Sequence, residues 1–141
     1  MRKIILFAVV SVLFAGCASF KTEKVPVDEL SIEKRMGETM IEAFGKQDFE
    51  GFIQYIPAGG RQVYGQNKFK EEQRQIASRL GKIVSYRFLT KLEMEPAHQL
   101  VWAVRFKSYT LKGEETFKEA IFTVVIGKVD EQRKVFLFGF K

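Results

Sequence analysis

Few residues in this chain have the type and spacing for acid–base or nucleophilic chemistry. Its 141 residues include one cysteine and one histidine. Cys17 closes an apolar run from Ile4 to Phe14 and the small pair Ala15-Gly16, while His98 follows Pro96-Ala97 in a predicted hairpin turn. A cysteine so close to the N-terminus and a histidine in a turn assemble neither a Cys–His nor a Ser–His–Asp nucleophile. One cysteine builds no disulfide framework and no thiolate metal cluster, so neither a metal nor a cofactor is expected. Gly59-Gly60-Arg61 invites an anion-binding reading, but no strand precedes it and no Lys-Ser or Lys-Thr follows, so residues 57–66 read as a connector. Tyr86 and Thr90 are the inward polar positions of the first predicted strand. A carboxylate partner would have to come from Glu42 or Glu119, and a one-residue slip of the third strand exchanges Lys118 and Glu119 between faces. General acid–base chemistry needs paired titratable groups with separated pKa values. No such pair can be named, and no residue is assigned as catalytic.

The N-terminal stretch does carry a signal. Arg2 and Lys3 give a positive start, the apolar run follows, and small residues end it, which is the layout of an export signal. Residues 1–16 resemble a bacterial lipoprotein signal peptide, in which a small pair precedes a cysteine that is lipidated and becomes the new first residue. Phe14 stands where that pattern usually has an aliphatic residue. The resemblance implies a lipidated Cys17 and a cell-envelope location, with the membrane as partner. With no aspartate at Ala18 or Ser19, it implies the outer membrane facing the periplasm in a two-membrane host. Two or more acyl chains hold a protein where one is marginal. The other readings are an ordinary signal cut nearby and an uncleaved anchor, for which the run falls short of the about 20 residues a spanning helix needs. Residues 17–30 then form a polar tether reaching at most roughly 45 Å when extended.

The remaining residues, 31–141, make one domain, large enough to bury a real core. Fourteen phenylalanines and a single tryptophan imply an extensive core or an apolar pocket. The net charge of +6 includes Arg2 and Lys3, and a basic excess on an exported domain suits an anionic membrane or wall polymer rather than nucleic acid. Ser31 is the expected cap of a first helix carrying Met36, Gly37, Met40, Ile41 and Phe44 at three- and four-residue spacing up to Gly45. Asp48 caps a second helix with Phe49, Phe52, Ile53 and Ile56 on one face, ended by Pro57. Asn67 caps a third, with Phe69, Gln73, Ile76, Ala77 and Leu80 inward and Gly81 at its close.

After Gly81 the apolar period falls from near 3.6 to 2. Val84, Tyr86, Phe88, Leu92 and Met94 form one face of a first strand, and Leu100, Trp102, Val104 and Phe106 one face of a second. A third strand covers Thr116 to Lys128 and a fourth Arg133 to Phe140, joined by short turns into an antiparallel meander. The outer face of that meander is unexpectedly apolar, with Val101, Ala103, Ile121, Val125, Val135 and Leu137 opposite the helix-facing side. A sheet covered on one face should be polar on the other, so these six residues are a candidate homodimer interface.

Three helices followed by a strongly curved four-stranded meander, an α+β arrangement, resemble the cone-shaped fold of the NTF2-like (cystatin-like) superfamily. The residues that carry the likeness are the helices Met36 to Phe44 and Asp48 to Ile56, the run Ala43-Phe44-Gly45-Lys46-Gln47-Asp48-Phe49, and the aromatic strands from Val84 to Phe140. The resemblance implies a pocket between helices and concave sheet, used by some relatives for catalysis and by others for binding or dimerisation. Phe52, Tyr86, Phe88 and Trp102 would line it, around an apolar small molecule or simply as core. The leading expectation is a lipid-anchored, non-enzymatic binding or assembly module of the cell envelope, with an apolar small molecule or an envelope protein as partner. A small hydrolase or isomerase and an interaction module using the outer sheet face are the alternatives.

Overall fold

A computed structural model describes residues 28–141; Cys17, the signal-like stretch and most of the tether lie outside the described residues. Four helices precede four strands: α1 (Glu29–Lys46), α2 (Phe49–Ile53), α3 (Ala58–Val63), α4 (Gln66–Leu80), β1 (Lys82–Met94), β2 (Ala97–Tyr109), β3 (Glu115–Val129) and β4 (Gln132–Phe140). The α+β expectation is met, with one helix more than the three foreseen.

Each difference among the helices has a local cause. Asp28, not Ser31, caps α1, its carboxylate accepting from the Leu30 N–H at 3.3 Å, so the last two residues assigned to the tether are helical. Gly45 does not stop α1; Gln47 does so in the left-handed conformation, and its N–H reaches back to the carbonyls of Ala43 and Phe44. Asp48 caps α2 as expected, accepting from Gly51 N–H at 3.0 Å. The expected connector contains α3, held by Arg61, whose guanidinium donates to the carbonyls of Ile56 and Gln54 at 2.7 Å each. Gln54 is the C-cap of α2, where carbonyls lack helical partners, and Ile56 lies just beyond it, so Arg61 serves the chain itself. Gly65, rather than Asn67, precedes α4. Gly81 closes that helix at φ 97, with Lys107 O so near that a Cβ would sit 2.1 Å from it.

The sheet runs in the order β1-β2-β3-β4, antiparallel throughout. Asp130 and Glu131 both take positive φ in the two-residue β3–β4 turn, the geometry that matches hairpin twist. Leu100, Trp102, Val104 and Phe106 from β2 and Phe122 and Val124 from β3 all point to the helices and are fully buried. β1 departs from the simple alternation. Irregularities between Ile83 and Ser85 and between Phe88 and Thr90 shift its phase twice, since an extra residue moves everything beyond it to the other face. Ile83, Tyr86, Phe88 and Lys91 are therefore the half-buried positions, and Val84, Leu92 and Met94, expected inside, are exposed. Thr90 is exposed as well.

A third irregularity corrects the outer face. Val125 pairs with Leu137 but Ile126 pairs with Val135, leaving Phe136 as the extra residue. Val135 consequently turns inward and is fully buried in the core, so it cannot belong to an outer interface. Leu137 stays outside at 67% exposed. Val101, Ile121 and Val125 are half-buried on that face, and Ala103, paired with Arg87 and Ile121, is buried between them.

α1 lies across the concave side as the main packing partner. Its contact with the sheet is closest where Gly37 meets Trp102: a Cβ on Gly37 would fall 2.1 Å from the indole. That approach seats the largest side chain of the sheet against helical backbone. Phe44, Phe52 and Phe69 form a second cluster with ring centroids 5.1–5.8 Å apart, which Phe138 and Tyr64 join.

Candidate functional site

The side chains that could do chemistry gather around one buried carboxylate. Glu33 shares a face of α1 with Met36, Gly37 and Met40, and so is carried into the core, its side chain 3% exposed. A buried carboxylate must be paired, and three elements supply partners. His98 of β2 places Nδ1 2.9 Å from Glu33 Oε1 and 3.1 Å from Oε2. Lys91 of β1 brings Nζ to 3.4 Å from Oε2, and Arg133 of β4 brings Nε to 3.5 Å from Oε1. Two further acids complete the network. Glu93 reaches His98 Nε2 at 2.9 Å and Lys91 at 3.3 Å, and Glu29 holds Arg133 at 2.6 Å and Lys128 at 3.5 Å.

The electrostatic consequences follow from these contacts. Burial works against the Lys91 ammonium, yet its hydrogen bond to Glu93 and the charges of Glu33 and Glu93 outweigh burial and raise its pKa above the ordinary lysine value. Lys128 first, then Arg133, lowers the Glu29 pKa. Both His98 nitrogens face carboxylate oxygens, and an ionised carboxylate only accepts, so both contacts are hydrogen bonds when the ring carries both protons. Beside the network lies an open cleft of about 720 Å³, with Glu29, Glu33, His98 and Phe136 in its wall. A carboxylate orienting one nitrogen of an imidazole is an acid–base arrangement. Here the second nitrogen is occupied by Glu93, a side chain 66% exposed and therefore able to swing aside.

This cluster was hidden from the sequence. His98 lies within β2, not in a turn, because the hairpin closes at Met94 and Ala97. Its partner Glu33 is 65 residues away in the chain. The one available signal was Glu33 falling on the apolar face of its own helix, three residues before Met36.

The four residues expected to line a pocket separate into two groups. Phe88 and Trp102 meet edge to face at 5.4 Å, with Lys34 4.9 Å above the Phe88 ring. Trp102 is completely buried, and its Nε1 has no hydrogen-bond partner. Tyr86, beside them, donates to Glu42 Oε1 at 2.7 Å. That bond raises the tyrosine pKa to about 12, helped by burial and the Glu42 charge, and lowers the pKa of Glu42. Glu42 is thus the carboxylate partner left open by the sequence. Glu119 is exposed on the outer face opposite Arg105, while Lys118 faces the helices and donates to Arg79 O at 2.7 Å. Phe52 belongs to the other aromatic cluster and borders a cleft of about 260 Å³ with Phe122, Phe138 and Phe140. Tyr86, Phe88 and Trp102 line neither of these clefts. Among the described residues there is no group of three or more His, Cys, Asp or Glu side chains arranged to hold a metal.

No protein-family model matches the chain, and no curated protein matches it. Solved structures do. Aln2 from a Streptomyces species superposes with a TM-score of 0.54 at 16% identity, over 84% of this chain and 93% of that one. The chain Rd1NTF2_05 gives the same TM-score at 13% identity, over 81% and 100%. An NTF-2 like protein of unknown function from Shewanella oneidensis gives 0.45 at 13% identity, over 77% and 94%. At such identities the likeness is one of fold. The domain has an NTF2-like α+β fold, a class defined by its helix-lined curved sheet.

Proposed function

We propose that this is an exported protein, held on a cell-envelope membrane through a lipidated Cys17, whose NTF2-like domain binds or assembles rather than catalyses. The observation that supports this reading is the filled interior. Phe52, Phe69, Trp102, Phe106 and Phe122 are each at most 1% exposed, so the space between helices and sheet is occupied by hydrocarbon and its clefts lie at the rim. No helix among the described residues is long and apolar enough to cross a membrane. Native mass spectrometry of the full chain, exported by its own host, tests both halves. A diacylated or triacylated N-terminal mass that Cys17→Ser abolishes supports the anchor, and an unmodified N-terminus rejects it. A further mass lost on denaturation supports ligand binding. Assembly through the outer sheet face, around Val101, Ala103, Ile121, Val125 and Leu137, instead predicts a dimer that Val125→Lys converts to monomer.

A second reading, a small acid–base hydrolase or isomerase, is favoured by the Glu33–His98 pair beside its cleft. It requires His98→Gln to abolish a turnover that the native chain shows, with the melting temperature little changed. Turnover surviving in that variant rejects it.

A further inference from the structure

α4 and the C-terminal end of α1 enclose a cleft of about 390 Å³ against the start of β1. Its apolar wall is half-buried Ile76 and Ile83, lying over the buried rings of Phe44 and Phe106. The charged side chains on its rim are Lys46, Arg74 and Lys82, and no aspartate or glutamate lines it. Two of these cations have partners, Glu42 for Lys46 and Glu71 for Arg74, both helix neighbours about half exposed to water, where an ion pair is weak. Lys82 pairs with no carboxylate among the described residues. An apolar wall with a cationic rim is complementary to an amphiphile of the opposite sign.

We infer that this cleft binds a single-chain carboxylate, its apolar chain on Ile76 and Ile83 and its carboxylate among Lys82, Arg74 and Lys46. One cation unpaired among the described residues calls for one negative charge, which a carboxylate supplies. The volume, at the lower end of the about 300–1,000 Å³ usual for ligand sites, suits one chain rather than two. The planar Arg74 fork can donate two N–H bonds to a carboxylate once Glu71 gives way. Phe44 and Ile76 also wall the 260 Å³ cleft on the far side of α4. The inference rests on the binding reading and names the chemistry of its ligand.

The test is photolabelling of the intact chain in membranes of the exporting host, with decanoate carrying a diazirine at the chain end, followed by peptide mapping. Adducts should concentrate on Ile76, Ala77 or Ile83, the accessible apolar side chains of the cleft. Lys82→Glu should lower them about tenfold, the effect of losing and reversing one charge contact, while Lys112→Glu in the β2–β3 turn leaves them unchanged. Ala77→Trp, which fills the cleft from an exposed position on α4, should abolish them without lowering the melting temperature. Adducts located elsewhere, or equal labelling of native protein and Lys82→Glu, overturn the inference. If native mass spectrometry finds a bound molecule while decanoate labels elsewhere, the binding reading stands and this assignment falls. If neither finds one, both fall.

Discussion

α1 and α4 are of similar length, 18 and 15 residues, and are held to the sheet in opposite ways. α1 buries seven residues along its whole length, from Glu33 to Phe44. α4 buries one, Phe69, in its first turn. Beyond that turn α4 rests on half-buried Ile76 and Leu80 and on polar ties: Tyr64 to Glu72, Gln73 Nε2 to Phe44 O at 2.6 Å, and Lys118 Nζ to Arg79 O at 2.7 Å. A hydrogen bond contributes only about 0.5–1.5 kcal/mol net, whereas each buried large side chain contributes about 1.5–3 kcal/mol. α1 is thus the spine of the fold and α4 a lightly held cover. The clefts of about 390 and 260 Å³ flank the element that is cheap to move, where a binding function can reside without threatening the fold, whereas the cleft beside Glu33 lies against the spine.

Substitutions on the two sides should differ accordingly. Trp102→Ala removes the ring that Gly37 accommodates and should cost about 3–5 kcal/mol, read as a large drop in the urea midpoint. Trp102→Phe should cost much less than that, because Nε1 makes no hydrogen bond. Glu33→Ala comes next. Lys91, His98 and Arg133 lose their shared anion but are 17–28% exposed and can turn to water, so the cost should be about 1–3 kcal/mol. A loss beyond that range would mean that the cations stay buried. Ile76→Ala on α4 should cost about 1 kcal/mol or less while loosening the cleft. A loss as large as that of Trp102→Ala would erase the distinction between the helices.

The smallest effect concerns pH. Tyr86 ionises at about 12 when folded, against 10.0 unperturbed, chiefly through its bond to Glu42. A folded pKa above the unfolded one means stabilisation that is complete below pH 10 and is lost as pH rises towards 12. Ultraviolet difference titration should show two late tyrosines, Tyr64, raised by burial and its bond to Glu72, and Tyr86; Glu42→Gln should restore only Tyr86 towards the ordinary value. No change in that variant would place the cause elsewhere.

How much of this was legible in the sequence differs by element. The β2 face of Leu100, Trp102, Val104 and Phe106 was readable because a regular strand keeps its period. Asp48 was readable because a cap acts within three residues. Val135 was not, since the extra residue at Phe136 flips every side chain before it, and nothing local in Arg133 to Phe138 marks a bulge. The two bulges of β1 misplaced Val84, Leu92 and Met94 in the same way. α3 escaped notice because its stability comes from Arg61 reaching back to the end of α2, not from its own glycine-rich sequence. The Glu33 cluster joins four elements distant in the chain, and single-sequence periodicity carries no information about such pairings. The rim cleft, built from the ends of α1, α4 and β1, was equally out of reach, although its parts Phe44, Ile76 and Phe106 were each placed inward.

The central claim, that α4 is a displaceable cover over a rim site on an otherwise closed fold, is tested most directly by native-state hydrogen exchange of the full chain. The account predicts that amides of α4 from Gln73 to Leu80 exchange through a local opening well below the global unfolding free energy. Those of α1 from Met36 to Phe44 should exchange only with global unfolding. Equal protection of the two helices would contradict it.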